Sequence, residues 1–168
     1  MTLATMDTLN TLNTLNTLNT LKCATTRFGE VEVEEELVIT LPEGLIGFED
    51  CRRYVVLHLD ERSPFRWLQS LDDGAVAFPI IDPWDFMPDY APAISDSDAA
   101  QLRIDRDSPK LVFAVVTIPR NNPRGVTANL LGPLVINPVS RIGKQVIVAD
   151  EQYHTKHSIM GGINRKAA

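Results

Sequence analysis

Apolar positions along this chain fall in short runs separated by turn residues, and few of them follow the 3.6-residue period of a helix. Over residues 27–33, Val31 and Val33 alternate with Glu30, Glu32 and Glu34, the period of two that sends successive side chains to opposite faces of a strand. Further strands are predicted over 37–41 (LVITL), 54–59 (YVVLHL) and 65–71 (FRWLQSL), the last with Phe65, Trp67, Gln69 and Leu71 on one face. Asp72-Asp73-Gly74 then carries hairpin chemistry. The return strand, 75–81, holds Pro79, whose missing N–H marks an edge or a bulge. Residues 110–118 (KLVFAVVTI) form the most apolar, β-branched run and predict a central strand buried on both faces. Residues 126–137 continue as one strand, or as two broken at Gly132-Pro133, and 145–149 (QVIVA) are the last strand.

Two stretches break this texture. Ser95, with Asp98 three residues on, gives a capping-box-like start for a short helix over 96–103. Between the second and third strands lies LPEGLIGFED, residues 41–50, where Pro42, Gly44 and Gly47 predict a tight corner, followed by one helical turn over 48–53. About eight short strands with one helix predict an all-β fold, a compact antiparallel β-barrel occupying residues 25–160. Ahead of it, TLN repeats with a period of three, matching neither strand nor helix, so residues 1–24 read as a disordered low-complexity tail. Residues 161–168 read as a flexible C-terminal tail.

Length and charge narrow the function. The 168 residues suit one domain, and 44% hydrophobic with 23% charged content is ordinary for a globular chain. A net charge of -6 argues against direct nucleic-acid binding, which draws its affinity from cations on phosphate. The longest apolar run is far too short for a membrane span, and the N-terminus lacks the pattern of a secretory signal, so a cytoplasmic protein is expected. Cys23 and Cys51 form no CxxC pair and read as plain thiols. From Phe28 to Asp50 there are eight carboxylates and no Lys or Arg, a surface of one sign.

Catalytic motifs are missing: there is no GxSxG, HExxH, phosphate loop or GxGxxG. No catalytic residue, metal site or cofactor is assigned, and the chain reads as a non-enzyme. His58 reads as a hydrogen-bonded strand residue. His154 and His157 are spaced for one helical face but lack a third ligand. Asp82, Asp85 and Asp89, interleaved with Trp84, Phe86 and Tyr90, read as a cation site, a solvated loop or a contact surface for a basic partner.

LPEGLIGFED, WLQSLDD, FPIIDPWDFMPDY, LVFAVVTIP and TANLLGPLVINP followed by GKQVIV occur in an order that resembles the flagellar assembly factor FliW family, over residues 28–160. Ile46 stands where that family commonly carries a second Pro, which loosens the corner slightly, and the TLN tail has no family counterpart. The resemblance implies a non-enzymatic, barrel-like regulator with two exclusive partners: the C-terminal region of flagellin and the RNA-binding translational repressor CsrA. Flagellin that accumulates occupies the regulator and frees CsrA to repress flagellin translation. Under this reading Glu34, Glu35, Glu43 and Glu49 carry an acidic face toward CsrA, which repels phosphate from its RNA-binding side. Asp85, Phe86, Asp89 and Tyr90 form a second contact surface, and the loop 119–125 or the tail 153–160 is a candidate dock for flagellin. The alternatives are a ligand- or metal-binding β-barrel, possibly an enzyme, and a purely structural flagellar component.

Overall fold

The first hairpin begins earlier than the repeat composition suggests. In the computed structural model, which describes residues 19–162, strand β1 (Thr20–Thr25) pairs antiparallel with β2 (Gly29–Glu34) from Thr20↔Glu34 to Thr25↔Gly29. Gly29 closes the turn at φ 69°, and the Thr25 hydroxyl accepts from the Phe28 N–H at 2.9 Å while donating to the Gly29 carbonyl at 2.7 Å. Residues 20–24 of the expected tail are therefore strand, because from Thr20 onward the chain finds cross-strand partners in the EVEVE run. The rest of that tail, up to residue 18, and the tail from 163 to 168 lie outside the described residues.

After a 3-10 turn at Glu35–Leu37 come β3 (Ile39–Thr40), β4 (Arg53–Leu57), β5 (Phe65–Ser70) and β6 (Ala77–Ile81). A second 3-10 turn, Pro83–Asp85, precedes α1 (Asp96–Leu102) and then β7 (Leu111–Thr117). A third, Pro123–Gly125, leads to β8 (Thr127–Ala128), β9 (Leu134–Asn137), β10 (Ile142–Gln145) and β11 (His157–Ser158). Strands β7, β6, β5, β4, β3, β10 and β9 are neighbours in that order, and β9 pairs back to β7, which closes a seven-strand barrel. One pair departs from the expected antiparallel pattern: β3 and β10 run parallel, joined at Thr40↔Ile142. These strands are distant in sequence, so no hairpin dictates their direction.

Strand β7 is buried on both faces, as its continuous apolar run requires. Phe113 points into the barrel with Leu41, Tyr54, Leu68, Ile80, Leu134 and Ile136. Val112, Ala114 and Val116 point outward, under a second cluster that includes Tyr90, Leu102, Leu130, Val148, Tyr153 and Ile159. Helix α1 closes part of that outer cluster. Ser95 caps it by accepting from the Asp98 N–H at 3.1 Å, and Arg103 ends it in the left-handed conformation at φ 56°.

Three expected elements differ. Residues 48–53 form a bridge, a turn and the start of β4 rather than a helical turn: Phe48 bridges Leu45, and its ring packs edge-on against Phe78 at 4.8 Å. The last barrel strand is Ile142–Gln145, not 145–149; beyond it Val146 and Val148 donate to the carbonyls of Pro133 and Leu131. His58 falls just past β4 and is exposed, its Nε2 3.2 Å from the Ser63 carbonyl.

Candidate partner-binding surface

The corner at 41–50 is built on two buried leucines, Leu41 and Leu45, which seat it in the barrel core. Gly44 turns the chain at φ 67°, where a Cβ would meet the Phe48 carbonyl oxygen at 2.5 Å and the Glu49 Cα at 2.8 Å. Gly47 turns it again at φ 89°, with open space around it. With its anchors inside, the corner presents Ile46 and Phe48, which are 65% and 39% exposed. The Ile46 N–H donates to Gln145 Oε1 at 3.0 Å, fixing the tip against β10.

Acids rim this apolar tip. Glu49 Oε1 accepts from the Gly47 N–H at 2.9 Å, and the Gly47 and Glu49 N–H groups hold its carboxyl below the usual carboxylate range. Glu43 lies 3.5 Å from Lys144, whose Nζ also pairs with Asp98 at 2.9 Å and donates to Gln101. Lys144 thus clamps the corner, β10 and α1 together; its hydrogen bond to Asp98 raises the ammonium pKa and lowers that of the carboxylate.

The WLQSLDD turn is tied to the same corner. Asp72 Oδ2 accepts from the N–H groups of Arg52 and Arg53, both at 2.8 Å, and Oδ1 accepts from Arg53 Nε at 2.9 Å. Burial alone would raise this carboxyl, but the Arg53 and Arg52 N–H groups and the Arg53 guanidinium outweigh it, and the net shift is downward.

The acids predicted as one face come from two elements. Glu43 and Glu49 sit on the corner. Glu34 and Glu35, both exposed, stand where β2 ends, and the Glu35 N–H donates to the Asn19 carbonyl at 2.8 Å.

The four residues predicted as a second surface differ in exposure. Asp89 is exposed, while Asp85 and Phe86 are half-buried, with the Phe86 ring 6.0 Å from that of His157. Tyr90 does not belong to a surface. It is 3% exposed, and its hydroxyl donates to the Leu130 carbonyl at 2.7 Å, so its polar tip is satisfied inside the outer core. Trp84, one of the three rings interleaved with the acids, is the exposed one; its Nε1 donates to the Tyr90 carbonyl at 2.9 Å. With Ile94, Ala99 and Ile104 it lines a cleft of about 610 Å³ beside α1.

The tail 153–160 is likewise no free arm. Tyr153 and Ile159 are buried, and β11 pairs with β8. His157 lies in that strand, so the helical face that would join it to His154 does not form. Asp82 Oδ1 is used to cap the 3-10 turn by accepting from the Trp84 N–H at 2.9 Å. Among the described residues no three His, Cys, Asp or Glu side chains gather to hold a metal ion. None of the described helices is long and apolar enough to cross a membrane.

Fold and surface together define a small closed β-barrel that presents an acid-rimmed apolar corner. Residues 22–159 match the family model described as FliW protein. The flagellar assembly factor FliW of Natranaerobius thermophilus is 38% identical over 146 residues, 87% of this chain and 97% of that relative. The one from Alkaliphilus metalliredigens is 42% identical over 142 residues, 84% of this chain and 87% of that relative. A crystal structure of the flagellar assembly factor FliW superposes with a TM-score of 0.76 at 33% identity, covering 83% of this chain and 97% of that one. The chain belongs to the FliW family.

Proposed function

We propose that this chain is a cytoplasmic, non-enzymatic regulator of flagellar assembly that binds either flagellin or the RNA-binding repressor CsrA, and so couples flagellin level to flagellin translation. The observation that carries the reading is the corner itself, in a chain of this family. Ile46 and Phe48 form an exposed apolar centre with Glu43 and Glu49 around it. Apolar area supplies affinity and the acidic rim supplies steering toward a basic partner. An RNA-binding protein is basic where it meets phosphate, and acids held beside that face raise the cost of RNA entry.

Flagellin's C-terminal segment, helical with one apolar side, fits the cleft beside Trp84 better than the acidic corner. No cofactor or metal enters this scheme. Calorimetric titration with CsrA, alone and after saturation with flagellin, at two salt concentrations, tests it. Expected is binding that flagellin abolishes and salt weakens. An absence of heat with both partners, or unchanged CsrA affinity and salt dependence in a Glu43→Lys, Glu49→Lys variant, overturns it.

A further inference from the structure

On β6, on the face opposite the one from which Phe78 meets the corner, the barrel wall opens. The Ser70 N–H donates to the Val76 carbonyl at 2.9 Å, which sets the alternation of the β5–β6 ladder. Leu68↔Phe78 and Arg66↔Ile80 exchange hydrogen bonds, while Trp67↔Pro79 and Gln69↔Ala77 are the non-bonded pairs. The peptide groups of Ala77 and Pro79 therefore turn away from β5, toward β7. There the ladder holds only at Ile80↔Val115 and Ile81↔Ala114. It stops at Pro79, which has no N–H to continue it. Beyond that point Val116 and Thr117 pair with β8, on the opposite side of β7 from β6. The two strands splay, and a groove of about 530 Å³ lies between them.

The chemistry of this groove is opposite to that of the rest of the chain. Two guanidiniums, Arg27 and Arg120, line it with Trp67, Ala77, Pro79 and Ile118, and no carboxylate is among its lining residues, in a chain of net charge -6. Arg27 is held over the Trp67 ring at 4.4 Å, so its charge is positioned at the groove and not left on a mobile stem. Ile118 is 48% exposed at the same place.

We propose that this groove takes an extended, acid-bearing segment of a partner protein, added as a strand along the free edge of β6. The Ala77 N–H and carbonyl, beyond the last bond of the β6–β7 ladder, supply main-chain pairing. Trp67 and Ile118 take alternate apolar side chains, and Arg27 and Arg120 take the carboxylates between them. A protein segment is favoured over a nucleic acid because the site offers two cations on a negatively charged molecule, too few to retain a phosphate backbone at physiological salt.

The test uses the full chain and a fluorescein-labelled, end-blocked decapeptide alternating Val or Thr with Asp or Glu, read by anisotropy. Expected are saturable binding, loss of at least about tenfold in affinity with Lys in place of the acids, and a similar loss when a central residue of the peptide is Pro. An Arg120→Glu variant, which leaves the Arg27–Trp67 contact in place, should bind the peptide at least about tenfold more weakly while keeping the wild-type melting curve, since that side chain is exposed. No binding of the acidic peptide overturns the proposal. So does equal binding by the variant, equal binding of the Pro-containing peptide, or tighter binding of a single-stranded oligonucleotide of the same charge.

Discussion

Asn137 Nδ2 donates to the carbonyl of Leu102 at 3.0 Å, which ties the last residue of α1 to the end of β9. The same amide donates to the Arg103 carbonyl at 3.2 Å, and its Oδ1 accepts from the N–H groups of Val139 and Ser140. One buried side chain thus satisfies both a helix end and the turn into β10. Asn137→Ala should destabilise the protein by about 2–3 kcal/mol, because it strands the buried Leu102 carbonyl and removes three further part-buried hydrogen bonds. Asn137→Asp should be no milder, since a carboxylate cannot donate to the two carbonyls. Urea denaturation checks this, and a midpoint within error of the wild type for either variant refutes the role.

The Lys144–Asp98 pair predicts a stability plateau with two edges. Asp98 has its pKa lowered by the hydrogen bond from Lys144, so its contribution is complete above the ordinary Asp range and is lost as pH falls through the lowered value. Lys144 has its pKa raised by Asp98, so its contribution is complete below the ordinary Lys range and is lost as pH rises through the raised value. Melting temperatures of the wild type and of Lys144→Met should differ most between about pH 5 and pH 10 and converge outside that window. The difference on the plateau should be about 2 kcal/mol, between the values for surface and buried pairs. A gap that does not change with pH would assign the loss to packing alone.

Two glycines at the corner should respond differently to the same change. Both have positive φ, 67° at Gly44 and 89° at Gly47, but only at Gly44 would a Cβ collide with backbone, at 2.5 Å from the Phe48 oxygen. Gly47→Ala should cost about 1–2 kcal/mol, the conformational term alone. Gly44→Ala should cost clearly more and should shift the tip carrying Ile46 and Phe48, which under the proposed function reads as a loss of CsrA binding beyond the loss of stability. Equal stability and binding in the two variants would mean that the corner yields freely.

How much of this was readable before the structure depended on how local the cause was. The helix at Ser95 and the doubly buried strand around Phe113 follow from neighbouring residues, a cap and an unbroken apolar run. Barrel closure through Leu111↔Ile136 and the parallel Thr40↔Ile142 pair depend on contacts between distant residues and leave no local signature. Tyr90 looked like a surface residue because acids flank it, yet its partner, Leu130, is 40 positions away. Lys144 went unweighted for the converse reason. A lone cation acquires meaning only when α1 and the corner meet around it. The acids of the corner were legible as a group, but that Glu34 ends a separate two-stranded sheet was not, since its partner Thr20 lies in the stretch read as a tail.

The start of β1 bears on where the folded unit begins, and truncation tests it. Among the described residues β1 and β2 form their own two-stranded sheet, so removing β1 leaves β2 without its strand partner. That hairpin also covers the outer face of β5. Phe28 packs edge-on against Trp67 at 5.5 Å, and the Thr26 N–H donates to the Gly74 carbonyl at 3.0 Å. Deleting residues 1–18 keeps every one of these contacts, whereas deleting 1–25 removes β1 and frees the turn that holds Phe28. The shorter deletion should leave the melting temperature unchanged. The longer one should lower it by several degrees and shift tryptophan emission to the red as Trp67 meets water. If both truncations melt together with unchanged emission, the hairpin contributes nothing to the barrel, and Trp67 is shielded by the Arg27 side chain alone.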